Sequence, residues 1–298
     1  MTPWHDTRNG VEIGILAMKR SGHHAIAHWL LCQIGGASVH LNNCEFVRRV
    51  QHTTPPPRVI SRTDRDEAFS AMSSAVYLEG VFQGHIRHIA VHQAFSSQWE
   101  RIKALQNVEA ALRLAYRLGP RIDAYLFNLE DLHLDDFVSL PTRLVARGEP
   151  ERRERVVVVR DLANWAASRI AGGYLIDEAV LRAWRSQVAA AARPEAHSGL
   201  VFANFPAWHT SPPYRRQLAE RLGVAFTDAG REDVVPFGPV GRPGSSFDER
   251  GMHGTASRMD VLERWHATRD HAQWQSVMAR SDLRALSAEV FGFDVEAG

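Results

Sequence analysis

The chain has 298 residues, 45% of them hydrophobic and 23% charged, with a formal net charge of +1. These values suit a globular protein with a sizeable core and exclude a whole-molecule field that would draw it to nucleic acid or an anionic membrane. No apolar run approaches the length of a bilayer span, so no membrane span is expected and any anion binding must come from local clusters. The opening MTPWHDTRNG has no apolar h-region, and Cys32 and Cys44 follow no metal or disulfide spacing. A cytoplasmic protein with reduced thiols is the expectation.

In chain order, Val11, Ile13, Ile15 and Leu16 predict a buried parallel strand, and Ala25, Ile26, Trp29 and Leu30 predict a helix. Between them lies Lys19-Arg20-Ser21-Gly22-His23-His24. Ser38 to Asn43 reads as a short strand, and the stretch around Pro55-Pro56-Pro57 as a loop. AVYLEGV and HIRHIAVHQ, separated by Gly84, read as two strands, with His92 near the end of the second. An amphipathic helix over Gln98 to Leu118 is stopped by Gly119-Pro120. AYLFNL is a strand ending in Glu130-Asp131, and Pro141 to Arg155 reads as a charged connector. Val156 to Val159 predicts a strand buried on both faces, with Asp161 as N-cap of the helix LANWAASRI. Asp177 to Ala192 predicts a helix, LVFANF a strand, and Tyr214 to Leu222 a helix closed by Gly223. Gly238 to Phe247 is a Gly- and Pro-rich loop, and Ala256 to Phe291 is mainly helical. This alternation implies an α/β fold in three layers, a mostly parallel sheet with helices on both faces, in one domain over residues 1–298.

Two strand ends carry chemistry. A strand, a basic turn and a helix start make an anion site, because free N–H groups and the helix dipole point at one spot. Lys19 and Arg20 add charge there, and Gly22 lets backbone approach a phosphate closely. Against Walker A the stretch fits in part: from Gly14, Arg stands where the Lys belongs and the second Gly is missing. The second site is Arg160 at the carboxyl end of the Val strand, where open α/β sheets bind ligands, with Ser168 eight residues on.

Arg20-Ser21-Gly22 after a buried strand resembles the 5′-phosphosulfate loop of PAPS-dependent sulfotransferases, with His23-His24 where most members have two Thr. Arg160 followed by Ser168 is similar to that family's 3′-phosphate motif. The resemblance implies a P-loop-like α/β fold and PAPS (3′-phosphoadenosine 5′-phosphosulfate) as cofactor, without a metal. It implies cofactor contacts from Lys19, Arg20, Ser21, Gly22, His23, His24, Ala25, Arg160 and Ser168. Arg242 and Gly244 in the late loop are similar to the family's third phosphate contact; a solvated loop is the alternative. The acceptor class implied is a carbohydrate or small hydroxylated molecule. Arg20 would stabilise the leaving phosphate oxygen. His92 is the first candidate base, with Glu130 as the carboxylate rival and Glu79 more distant. The competing classes are a P-loop kinase or NTPase, which needs a carboxylate where Arg160 stands, and a catalytically silent nucleotide-binding module.

Overall fold

A computed structural model of the chain describes residues 8–41, 76–80, 86–91, 121–139, 150–233 and 256–295. The described residues form seven strands: β1 (Arg8–Ala17), β2 (Gly36–Leu41), β3 (Val76–Gly80), β4 (Ile86–Val91), β5 (Arg121–Glu130), β6 (Pro150–Val159) and β7 (Val201–Asn204). They form one sheet in the order β3-β4-β2-β5-β1-β6-β7. The pairs β2–β4, β2–β5 and β6–β7 are parallel, and β3 runs antiparallel to β4. Helices surround this mostly parallel sheet, so the protein is an α/β fold. They are α1 (His23–Ile34), α2 (Leu134–Val138), α3 (Leu162–Ala171), α4 (Glu178–Ala191), α5 (Phe205–Thr210), α6 (Pro212–Arg221), α7 (Ala272–Met278) and α8 (Ser281–Phe291). Among the described residues no helix is long and apolar enough to cross a membrane.

The chain divides into two compact units. The first comprises Met1–Ile15, Ile34–Glu130 and Asp135–Glu154. In it the antiparallel pairing of β3 with β4 sets Tyr77 opposite Ala90 and Glu79 opposite His88 in register. Gly14 sits inside β1 because the ring of Phe127 lies over it; a Cβ there would come within 2.7 Å of that ring. Strand β1 then runs three residues further, so Gly14 opens no loop and the Walker-like spacing has no structural counterpart. Glu12 is buried and offset by Arg153 at 3.3 Å.

The second unit comprises Leu16–Gln33, Asp131–Leu134 and Arg155–Gly298. Val156 to Val159 are all at most 2% exposed, as a strand buried on both faces requires. Trp29, Trp165, Trp184, Trp208 and Trp274 are also fully buried in this unit. Asp161 caps α3 by accepting from the Asn164 N–H at 2.9 Å, as expected from the sequence. Asp177 caps α4 in the same way, through Val180.

Two expectations need correction. Residues 150–155 of the charged connector belong to β6, where exposed and covered side chains alternate. LVFANF is a strand only to Asn204, because the Asn204 side chain caps α5 and Pro206 enters its first turn. The C-terminal region is mainly helical as expected, its described residues forming two short helices and two single turns. His92, Arg242, Gly244 and the helix expected over Gln98 to Leu118 lie outside the described residues.

Candidate functional site

The second unit gathers the two phosphate-type motifs. After β1 the chain turns at residues 18–22, where Ser21 N–H donates to the Met18 carbonyl at 3.0 Å. Arg20 stands at φ 71°, a left-handed conformation that costs a non-glycine residue about 1 kcal/mol or more. Gly22 follows at φ 90°, and a Cβ there would lie 2.2 Å from the ring of Phe205. Glycine is therefore required twice over, by conformation and by the neighbouring ring.

Side chains from the rest of the unit hold this turn by its backbone. Trp165 Nε1 donates to the Lys19 carbonyl at 3.1 Å, and the Lys19 N–H donates to Asp131 at 2.9 Å. Arg169 fixes Asp131 in turn, at 2.7 Å. Arg160 Nη1 donates to the Arg20 carbonyl at 3.0 Å and to Ser168 Oγ at 3.1 Å, while Nη2 donates to the Val261 carbonyl at 2.5 Å. The structure thus brings Arg160, Ser168 and the loop together.

Arg160 is 2% exposed and Ser168 fully buried. The hydrogen bonds of Arg160 go to neutral oxygens, and its Nε has no partner. Burial first, then Arg264 and Arg20 nearby, push its guanidinium down to about 9, against the pull of Asp161. Asp161 offsets this only in part: burial raises its own carboxyl, and its Oδ1 is committed to the helix cap. A buried cation in such company stabilises an arriving anion strongly.

The loop residues have distinct fates. Ser21 is 1% exposed, and its hydroxyl has no hydrogen-bond partner. His23 is buried and His24 half-buried, their rings 4.1 Å apart. Lys19 sends its ammonium over the Tyr174 ring at 5.7 Å. The N–H groups of Ser21 and Ala25 are spent inside the turn, on Met18 and Gly22, so those two donors expected for a phosphate are already used. Glu130 is the half-buried last residue of β5, in the first unit, and precedes the loop-holding Asp131.

Four residues enter the site unheralded by the sequence. Arg264 donates to Ser168 Oγ at 3.4 Å from a turn 96 residues away. The Phe205 ring lies under the Arg160 guanidinium at 5.1 Å. His209 sits 6.0 Å from that ring, and Arg231 donates to the His209 carbonyl at 2.6 Å. Burial first, then Arg231 and Arg160, bring the His209 imidazole down to about 4, so it is neutral at pH 7. Phe205 and His209 had one available signal, their position just past the carboxyl end of a parallel strand. Arg231 and Arg264 had none in local pattern.

No protein-family model matches this chain, and comparison with curated proteins returned no match.

Proposed function

We propose that the protein transfers a sulfuryl group from PAPS to a hydroxyl or amine of a carbohydrate or small-molecule acceptor, without a metal at the reacting centre. The observation that carries this reading is Arg160, a buried guanidinium bonded only to neutral oxygens that links the Arg20 carbonyl to Ser168. An anion with two separated phosphates suits such a pair of linked sites. Arg160, Ser168 and Arg264 would hold the 3′-phosphate, and the unpartnered Ser21 hydroxyl with the start of α1 would hold the 5′-phosphate.

In the reaction the bond from sulfur to the 5′-phosphate oxygen breaks as the acceptor oxygen or nitrogen bonds to sulfur. The electron pair stays on the phosphate, which Arg20 would stabilise, and the acceptor proton passes to a base. His92 and Glu130 are the proposed candidates for that base. The kinase reading is weakened by Asp161, the carboxylate next to Arg160, since its cap contacts and raised carboxyl leave a poor Mg²⁺ ligand.

Calorimetry with adenosine 3′,5′-bisphosphate against AMP tests the reading. Each charge-assisted contact to the extra phosphate is worth roughly 1.5–3 kcal/mol, so the bisphosphate should bind at least about tenfold tighter, with or without Mg²⁺. Ser168→Ala should erase most of that margin and leave AMP affinity unchanged. Arg160→Ala should weaken both nucleotides, because it also frees the left-handed Arg20 peptide. Equal affinity of the parent protein for the two nucleotides would sink the proposal.

A further inference from the structure

On the outer part of α1, away from the phosphate loop in sequence, His28 and Cys32 stand one helical turn apart, and Asp233 reaches the same point. His28 Nε2 lies 3.3 Å from Asp233 Oδ2 and 3.5 Å from Cys32 Sγ, and all three ligand atoms fall within 4.8 Å of one another. A tetrahedral zinc centre has edges of about 3.3 Å between nitrogen and oxygen and about 3.6 Å between nitrogen and sulfur. The two separations measured at Nε2 match those edges, and the third, between sulfur and carboxylate, lies within 4.8 Å.

One imidazole nitrogen meeting two partners is a poor hydrogen-bonding arrangement. Nε2 carries either one proton or one lone pair, so it cannot serve Oδ2 and Sγ well together. A cation placed among the three atoms satisfies all of them. A nucleophilic Cys–His–Asp relay would need the carboxylate on the other ring nitrogen, whereas here both contacts fall on Nε2. Backbone crowds the sulfur closely: a Cβ on Gly230, at φ 77°, would lie 2.6 Å from Cys32 Sγ.

We propose that His28, Cys32 and Asp233 form a zinc-type site that binds one divalent d-block cation, with water in the fourth position. The thiol gives its proton to solvent as sulfur bonds to the metal, and thiolate plus carboxylate balance the two positive charges. Exposure of Asp233 leaves room for the water. The site would pin α1, which begins at the phosphate loop, to the chain at residues 230–233. It stands independently of sulfuryl transfer.

The test is Co²⁺ titration of the untagged, metal-stripped full chain, with zinc displacement and metal counting after dialysis. Expected are one ion per chain and a near-ultraviolet thiolate-to-cobalt band with the visible bands of a tetrahedral site. Cys32→Ser should abolish the near-ultraviolet band, and Cys44→Ser should leave it intact. Outer-shell changes alone cost 10–100-fold in metal affinity, so His28→Gln and Asp233→Asn should each weaken Co²⁺ by at least about tenfold. Asp233→Asn alters an exposed side chain, so it reads the site without disturbing the core. Absence of tight binding, binding without the thiolate band, or unchanged affinity in Asp233→Asn would each overturn the proposal.

Discussion

Gly22 is the residue on which the loop turns, since it meets a positive φ and the Phe205 ring at once. Gly22→Ala should therefore abolish bisphosphate binding at concentrations that saturate the parent, as read by calorimetry. Adding Phe205→Ala should restore part of the affinity by removing the ring, but not all, because the strained backbone remains. Failure of the second change to recover any binding would show that conformation alone makes the demand. His209 gives a second reading at this scale, in stability rather than binding. Its imidazole titrates near 6.5 when unfolded and at about 4 when folded, chiefly because it is buried. As pH falls from 6.5 towards 4 the unfolded chain takes up a proton that the folded site resists. The stabilising contribution is thus whole above pH 6.5 and lost towards pH 4. Its partial exposure limits the effect to roughly 1–2 kcal/mol. Urea unfolding at pH 7 and pH 5 should show a smaller difference for His209→Gln than for the parent.

At the scale of elements, α1 is held at both ends. Its far end carries Gln33, whose Oε1 accepts from the Thr227 and Asp228 N–H groups at 2.8 and 3.0 Å. Asp228 accepts from Trp29 Nε1 at 3.1 Å and pairs with two Arg215 nitrogens at 2.7 Å each. Arg215 is 5% exposed, so Asp228→Ala strands a buried cation and should cost roughly 3 kcal/mol in urea unfolding. A cost below about 1 kcal/mol would mean that the Trp208 carbonyl, which Arg215 also engages, is partner enough. These elements also show what was legible beforehand. The end of β6 at residues 156–159 was readable because four Val admit little else, and α3 because Asp161 is a strong cap beside it. Helix α5 was missed because LVFANF continues as an apolar run, and its start rests on two residues, Asn204 and Pro206. The joining of Arg160 to Ser168 was legible as a spacing within one strand–helix unit. Arg264 was not, because its contact spans 96 residues and only tertiary folding delivers it.

Across the whole molecule, net charge is +1, so affinity for a polyanion has to arise from where the arginines converge rather than from a global field. That convergence, Arg20, Arg160, Arg231 and Arg264, belongs to the second compact unit. Adenosine 3′,5′-bisphosphate should consequently act on that unit first. At a hundred times its dissociation constant a ligand adds about 2.7 kcal/mol to the state that binds it, worth roughly 5 °C in a chain of this size. A chelator should leave the shift unchanged, because the proposed phosphate contacts need no metal. Hydrogen exchange at short labelling times, which reads local opening rather than global unfolding, locates the effect. Amides of residues 19–26 and 160–168 should slow on binding, while those of β3 and β4 in the first unit should keep their rates. Slowing in β3 and β4 without any at 160–168 would place the nucleotide elsewhere and remove Arg160 from its proposed role.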